Sequence, residues 1–245
     1  VKVDPATQAR LLELAELDGE LDRVRHRREN LPEQQVLDER AAALRSAQDA
    51  LVQAQMLASD LDREVKRRER EIETVRARAD RDRKLMESGS VSAKQLTDLE
   101  HEIGTLQKRQ QTLEDDLLEL MEQREAVGIN ERKSGEAVAA AEQEVAEARA
   151  AVESAQAELA RTEEKCEAER AKLREELPAQ LVERYDRVRQ ARGRGAGLLR
   201  ARRCGACQLE LDRVALSKVK AAADDEVVTC DNCGAILVRT AESGL

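Results

Sequence analysis

The chain has 245 residues, 51 Asp plus Glu against 42 Lys plus Arg for a formal charge of −9, and one aromatic residue, Tyr185, with no Trp or Phe. Such a chain cannot fill one large globular core; with 38% charged residues it has the composition of long solvated helices. The negative charge excludes nucleic-acid binding along the whole surface, since phosphate backbones are held by clustered Lys and Arg. No apolar run approaches the roughly 18 residues that span a bilayer, and no basic start leads into an apolar stretch, so the expected location is cytoplasmic, with no membrane partner.

The first apolar set is Leu14, Leu17, Leu21, Val24 and Leu31. It runs one residue out of phase with the next set, and the shift falls at "ENLPEQQ", where Pro32 cannot donate a helical hydrogen bond and disfavours helix at Leu31. A break near 30–33 is the consequence. Either the arm continues beyond a kink, or the chain reverses and residues 6–30 form a third, shorter helix.

From Leu37 the residues Leu44, Leu51, Ala58, Val65, Ile72, Ala79 and Met86 recur every seven positions, and Ala47, Ala54, Leu61 and Val75 supply much of a second row. Next comes "ESGSVSAKQL", in which Gly89 can end one helix, and Ser92 with Gln95 forms a capping-box signature for another. From Leu96 two interleaved rows hold one phase through Ile103, Leu117, Val138, Val152 and Leu173 and through Leu106, Leu113, Leu120, Ala148 and Ala155. A sustained 3.5-residue repeat is a coiled-coil seam, and the short turn makes the arms antiparallel. Arg124, Glu131 and Ser134 lie on this seam with Gly128 and Gly135 nearby, which predicts poor packing or a bend there. Cys166, in line with Leu159 and Leu173, reads as a small buried apolar residue, and His26 and His101 as helix-surface residues.

The stretch "LPAQLVERYDRVRQARGRGAGLLRARR" concentrates arginine, and residues 179–245 carry 12 Lys plus Arg against 9 Asp plus Glu, a local +3. Arg187, Arg189, Arg192, Arg194, Arg200, Arg202 and Arg203 are the candidates for binding nucleic acid, because guanidinium groups take phosphates in bidentate geometry. The plain alternative is pairing with acidic helices. "GRGAG" is expected to make the joint flexible.

Cys204, Cys207, Cys230 and Cys233 form two Cys-x-x-Cys pairs, a strong signal for a tetrahedral four-thiolate zinc site. Gly205 and Gly234 are expected to let backbone amides approach the sulfurs. "GLLRARR" and "AILVRT" read as strands of short hairpins, and "LDRVALSKVKAA" as a short amphipathic helix using Val214 and either Ser217 or Lys218. Four thiolates saturate zinc, leaving no open position for water or substrate. With His26 and His101 far apart, and no phosphate-cradling Gly-x-x-x-x-Gly-Lys, no enzyme is expected.

The helical hairpin, "LVERYDRVR", the Gly-rich joint, "CGACQLEL", "CDNCGAILV" and the tip "GSVSAKQLTDLEHEI" together resemble a bacterial family of C4-type zinc-ribbon proteins with a long N-terminal coiled coil, often labelled predicted nucleic-acid-binding. The resemblance implies structural zinc at the four cysteines, no enzymatic activity, and adaptor roles toward proteins or RNA. The expected fold is mainly α: a long antiparallel coiled-coil hairpin over 1–177 with a kink near 30–33 and a turn near 88–92, a helical Gly/Arg joint over 178–199, and a small zinc ribbon of short β hairpins over 200–245. The expected function is a non-enzymatic adaptor for an unidentified protein partner, with RNA or DNA as a second ligand and no small-molecule substrate. The alternative is a nucleic-acid-binding protein acting through the arginine joint and the ribbon.

Overall fold

The structure, a computed structural model, describes residues 2–245. Five helices carry most of the chain: α1 (Pro5–Glu29), α2 (Pro32–Glu87), α3 (Ala93–Glu176), α4 (Ala179–Arg192) and α5 (Arg213–Ala221). Four short strands, β1 (Ala196–Arg200), β2 (Arg203–Cys204), β3 (Val228–Thr229) and β4 (Ile236–Val238), form one sheet in the order β2-β1-β4-β3. β1 pairs antiparallel with β2 and parallel with β4, and β3 pairs antiparallel with β4. Among the described residues, no helix is long and apolar enough to cross a membrane.

The contacts divide the chain into two compact units, residues 34–150 and residues 1–33 with 151–245. This differs from the expected division at 177 and 199. The reason is packing: the first helix and the end of α3 share one apolar core with α4 and the sheet, formed by Val3, Leu11, Leu14, Leu173, Leu177, Leu181, Tyr185, Ala196, Ile236 and Val238 among others.

In the 34–150 unit the arms run antiparallel, as the ion pairs Arg40–Glu144 and Arg68–Asp116 and the hydrogen bond from Arg78 to Glu102 record. The turn is built as its sequence implies. Gly89 takes a φ of 66°, while Ser92 and Gln95 cap each other, with the Ser92 amide donating to Gln95 Oε1 at 2.8 Å. Seam positions Ala54, Ala58, Ile72, Ala79, Leu113 and Ala148 are buried.

At the expected weak point the helix is unbroken. Arg124, Glu131 and Ser134 are half-buried on α3, which continues through Gly128 and Gly135. Arg124 is satisfied across the seam by Asp62, its Nε donating at 2.7 Å and its Nη2 at 3.4 Å. This hydrogen bond holds the Asp62 carboxyl below the usual carboxylate range.

The helix breaks just before Pro32. α1 stops at Glu29, Asn30 folds its side chain back to the His26 carbonyl at 3.0 Å, and α2 restarts with Pro32 in its first turn. α1 then runs beside the end of α3, with Arg28 on Glu163 at 2.6 Å and Arg10 on Glu176. Residues 5–29 therefore pair with the C-terminal part of α3.

A charged pair on a coiled-coil seam fixes register at a cost in stability, because apolar side chains of similar volume pack there without a desolvation penalty. The double substitution Asp62→Leu with Arg124→Leu is expected to raise the thermal midpoint followed by helical circular dichroism. A lowered midpoint would mean that the pair contributes net stability.

Candidate metal centre

Each cysteine pair sits on the same backbone device. The Cys204 amide donates to the Leu209 carbonyl at 3.0 Å, and the Gln208 amide returns to the Cys204 carbonyl at 2.8 Å. In the second knuckle the Cys230 amide donates to Ala235 at 2.9 Å, and the Gly234 amide to Cys230 at 2.8 Å. The fifth residue of each loop lies in the left-handed region, Gln208 at φ 64° and Gly234 at φ 77°. Glycine takes that conformation freely. Gln208 takes it with its side-chain amide donating to the Gly205 carbonyl at 2.9 Å.

The knuckles bring four sulfurs together. Cys204 Sγ is 3.8 Å from Cys233 Sγ, Cys207 Sγ is 4.0 Å from Cys230 Sγ, and all four lie within 4.8 Å of one another. A disulfide needs about 2.05 Å, whereas four thiolates at about 2.3 Å from a zinc ion stand about 3.8 Å apart in an ideal tetrahedron. The donor set therefore fits zinc, and the site is a four-cysteine structural zinc site. Burial pushes the Cys204 thiol up to about 12, opposed by the amides of Cys207 and Ala206, and burial also raises Cys233. Zinc binding must displace such protons. The amides that approach the sulfurs are thus those of Ala206, Cys207, Leu209 and Ala235.

Gly205 serves a different end from the one expected. A Cβ there would stand 2.7 Å from the Leu198 carbonyl oxygen, so its bare backbone lets the first knuckle lie against β1. The helix between the knuckles also presents another face. Ala215 and Val219 of α5 are buried with Leu211 and Leu237 beside the cysteines, while Val214 is 65% exposed.

Ahead of the ribbon, "GRGAG" is a close-packed corner where a flexible joint was expected. Gly193 ends α4 at φ 80°. A Cβ on Gly195 would overlap the Tyr185 ring, and one on Gly197 would overlap the backbone of Ala206. Tyr185 is fully buried and donates its hydroxyl to Asp18 Oδ2 at 2.7 Å. Asp18, only 2% exposed, is also met by Arg170 Nε at 2.6 Å and Arg189 Nε at 3.2 Å. Burial and this hydrogen bond push the Tyr185 hydroxyl far above its ordinary value.

The seven candidate arginines divide. Arg189 is engaged by Asp18 and Asp22, Arg187 pairs with Glu183, and Arg200 pairs with Glu242. Arg192, Arg194, Arg202 and Arg203 are exposed and have no carboxylate partner among the described residues. Four structural residues were missed in the sequence: Asp18, Gln8, Arg239 and Ser243. Asp18 carried a signal, since the spacing of Leu11, Leu14, Asp18 and Leu21 places a carboxylate on a buried helix face.

Comparison with known proteins agrees with this architecture. The CT398-like coiled coil hairpin domain matches residues 14–193, and the C4-type zinc ribbon domain matches residues 203–237. The chain belongs to the CT398-like coiled-coil hairpin family. Its relatives include Rv2229c of Mycobacterium tuberculosis, 43% identical over 239 residues and covering 98% of both chains. ML1638 of Mycobacterium leprae is 36% identical over 223 residues, 91% of this chain and 96% of that one. A solved structure from Mycobacterium smegmatis superposes with a TM-score of 0.83 at 42% identity over 98% of this chain and all of that one, 100%. CT398 of Chlamydia trachomatis shares the fold, with a TM-score of 0.64 at 17% identity over 96% and 98% of the two chains. Both matched families are described by architecture, a coiled coil and a zinc ribbon.

Tyr185→Phe leaves the packing and removes a buried hydrogen bond to a carboxylate, so unfolding stability is expected to fall by about 1–3 kcal/mol in chemical denaturation. An unchanged midpoint would show that the two arginines alone satisfy Asp18. The Asp186 carboxyl is held low by two hydrogen bonds of 2.7 Å from Arg174. A depressed folded-state value means that its contribution is present above the unfolded value of about 3.9 and is lost as pH falls through the folded one. Asp186→Asn is thus expected to lower the melting temperature at pH 7, with the gap to wild type closing in the acid range; a gap independent of pH would exclude this ionisation as its source.

Proposed function

We propose that the protein is a non-enzymatic cytoplasmic adaptor, a coiled-coil hairpin whose zinc ribbon mediates contact with a protein partner. The observation that carries this reading is the centre itself, four cysteine sulfurs within 4.8 Å of one another. A zinc ion held by four thiolates has no coordination position left for substrate, so the metal organises the surface around it. The hairpin family match over residues 14–193 supports the same reading, because a long paired arm is a spacer and a docking surface.

A second reading, binding of RNA or DNA as a second ligand, is favoured by Arg192, Arg194, Arg202 and Arg203, which are exposed on either side of β1. Of the other candidates, Arg187 and Arg200 stand in exposed pairs with Glu183 and Glu242, and Arg189 is held by Asp18 and Asp22.

The test is a titration of zinc-loaded protein against labelled single-stranded RNA and duplex DNA at two salt concentrations, beside a variant with those four arginines changed to Ala. If they hold phosphates, the slope of log affinity against log salt on duplex DNA becomes shallower by about 3 to 4 in the variant. Absence of binding by the wild type at low salt removes the second reading. Crosslinked protein partners that survive the four substitutions but are lost with Cys230→Ser would support the adaptor.

A further inference from the structure

The sheet of the ribbon belongs to two cores at once. Along β4, Ile236 and Val238 lie in the core shared with the helices, while Leu237 between them lies in the core around the cysteines. β1 repeats the division, with Ala196 in the first core and Leu199 in the second. Alternation of side chains across a strand thus couples the metal site to the helices with no intervening hinge. The strands have 5, 2, 2 and 3 residues, too few to hold register alone. β2 ends on Cys204 itself, and β4 begins three residues after Cys233.

The start of the chain rests on the helix-side face of this sheet. Val3, Leu11 and Leu14 pack in one cluster with Ala196, Val227, Ile236 and Val238. The Val3 amide donates to the Asp225 carbonyl at 2.7 Å. Buried Gln8 donates through Nε2 to the carbonyls of Val3 at 2.6 Å and Asp224 at 3.1 Å. The 222–226 loop that accepts these bonds is itself held by Arg239, one residue beyond β4. Its guanidinium donates to the carbonyls of Val219, Ala222, Ala223, Asp224 and Glu226, at distances from 2.6 to 3.3 Å.

The rest of α1 is anchored elsewhere. Asp18 is held by Arg170, Arg189 and Tyr185, and Arg28 by Glu163, all on α3 or α4. Leu21 and Val24 are buried at 3% exposure yet belong to neither ribbon core.

We propose that the ribbon is a zinc-dependent clamp on residues 2–14. Zinc supplies the stability that a domain this small cannot draw from its own core. With the knuckles closed, β1, β4 and the 222–226 loop hold the first turns of α1. When the metal leaves, the sheet loses its register and the clamp opens, whereas α1 from Asp18 onward stays docked on α3 and α4. Opening uncovers Leu173, Leu177 and Leu181, so metal occupancy at the cysteines is converted into exposure of an apolar patch on α3 and α4. This holds whether the ribbon meets protein or nucleic acid.

The experiment is hydrogen exchange with mass-spectrometric readout on the full chain, zinc-loaded and after chelation, beside the zinc-loaded Gln8→Met variant. Chelation is expected to speed exchange of residues 8–14 about tenfold or more together with β1 and β4, leaving residues 18–29 and the 34–150 unit protected. Gln8→Met should loosen residues 2–8 at full zinc content, with ribbon amides unchanged. Residues 8–14 that stay protected while β1 and β4 exchange freely would overturn the clamp. So would loss of protection along all of α1, which would make zinc a general support of the base. Gln8→Met without effect on residues 2–8 would likewise overturn the tether assigned to that side chain.

Discussion

A carboxylate buried where three helices meet sets the geometry of everything at the base of this protein. Isolated burial of a charge costs several kcal/mol, and the cost is offset only when its oxygens are fully occupied. Asp18 meets that demand by drawing Arg170 from α3 and both Arg189 and Tyr185 from α4. One carboxylate thus ties α1 to both α3 and α4. The position of Tyr185 then constrains the chain on its C-terminal side. Only a residue without Cβ can stand against the phenol ring at 195, and only another such residue can pass the first knuckle at 197. The corner between α4 and β1 is therefore rigid, and the orientation of the sheet is inherited from the buried carboxylate.

The two ends of this inheritance are coupled by very little chain. A three-residue strand, β4, has neighbours on one face that are helical and on the other that surround the cysteines. Small metal domains are usually pictured as beads on a string. Here the bead and the string share side chains, because Ile236 and Val238 complete a core that Leu11 and Leu14 cannot close by themselves. The same sharing explains why the compact units are 34–150 and the remainder, with the boundary falling inside the long helices and not at the ribbon.

Much of this was legible in the sequence, and the reasons differ by element. The hairpin was readable because seven-residue repeats state a helix and its buried face at once, and Gly89 with Ser92 and Gln95 mark the turn. The metal centre was readable because Cys-x-x-Cys spacing encodes the knuckle. Interactions between residues far apart in the chain could not be read. Asp18 lies 167 positions from Tyr185, and nothing local to either announces the other. Gly195 and Gly197 look like a flexible linker, because close approach and freedom of motion use the same residue. The β1–β2 turn is hidden for a related reason: Ala201 and Arg202 adopt φ of 45° and 66°, values that two-residue hairpin turns normally assign to Asn and Gly. They are held there by the last residues of the described chain. The amides of Ala201 and Arg202 donate to the carbonyls of Glu242 and Ser243 at 2.9 and 3.0 Å, and the buried Ser243 hydroxyl donates to Leu199 at 2.9 Å. A strained turn held by a tertiary strap has no sequence signature of its own.

The covering of both sheet faces also restricts how the ribbon can meet another molecule. One face is occupied by α1 and α4, the other by α5 and the cysteines. That leaves the knuckle loops and the outer side of α5, where Leu209 and Val214 are 55% and 65% exposed. The basic residues near these positions are unevenly available. Arg200 is matched by Glu242 and Lys218 by Asp231, whereas Arg202 and Arg203 stand on the strapped turn and on edge strand β2 without a carboxylate partner among the described residues. Unmatched charge and exposed apolar surface thus lie together at β2 and the first knuckle, an edge along which the 209–211 segment pairs through the Arg203–Glu210 bridge. That edge is also the side of the sheet farthest in strand order from β3, whose neighbouring loop receives the N-terminal segment. The β2 side and the loop that receives residues 3–8 thus lie at opposite ends of the strand order, joined through β1 and β4.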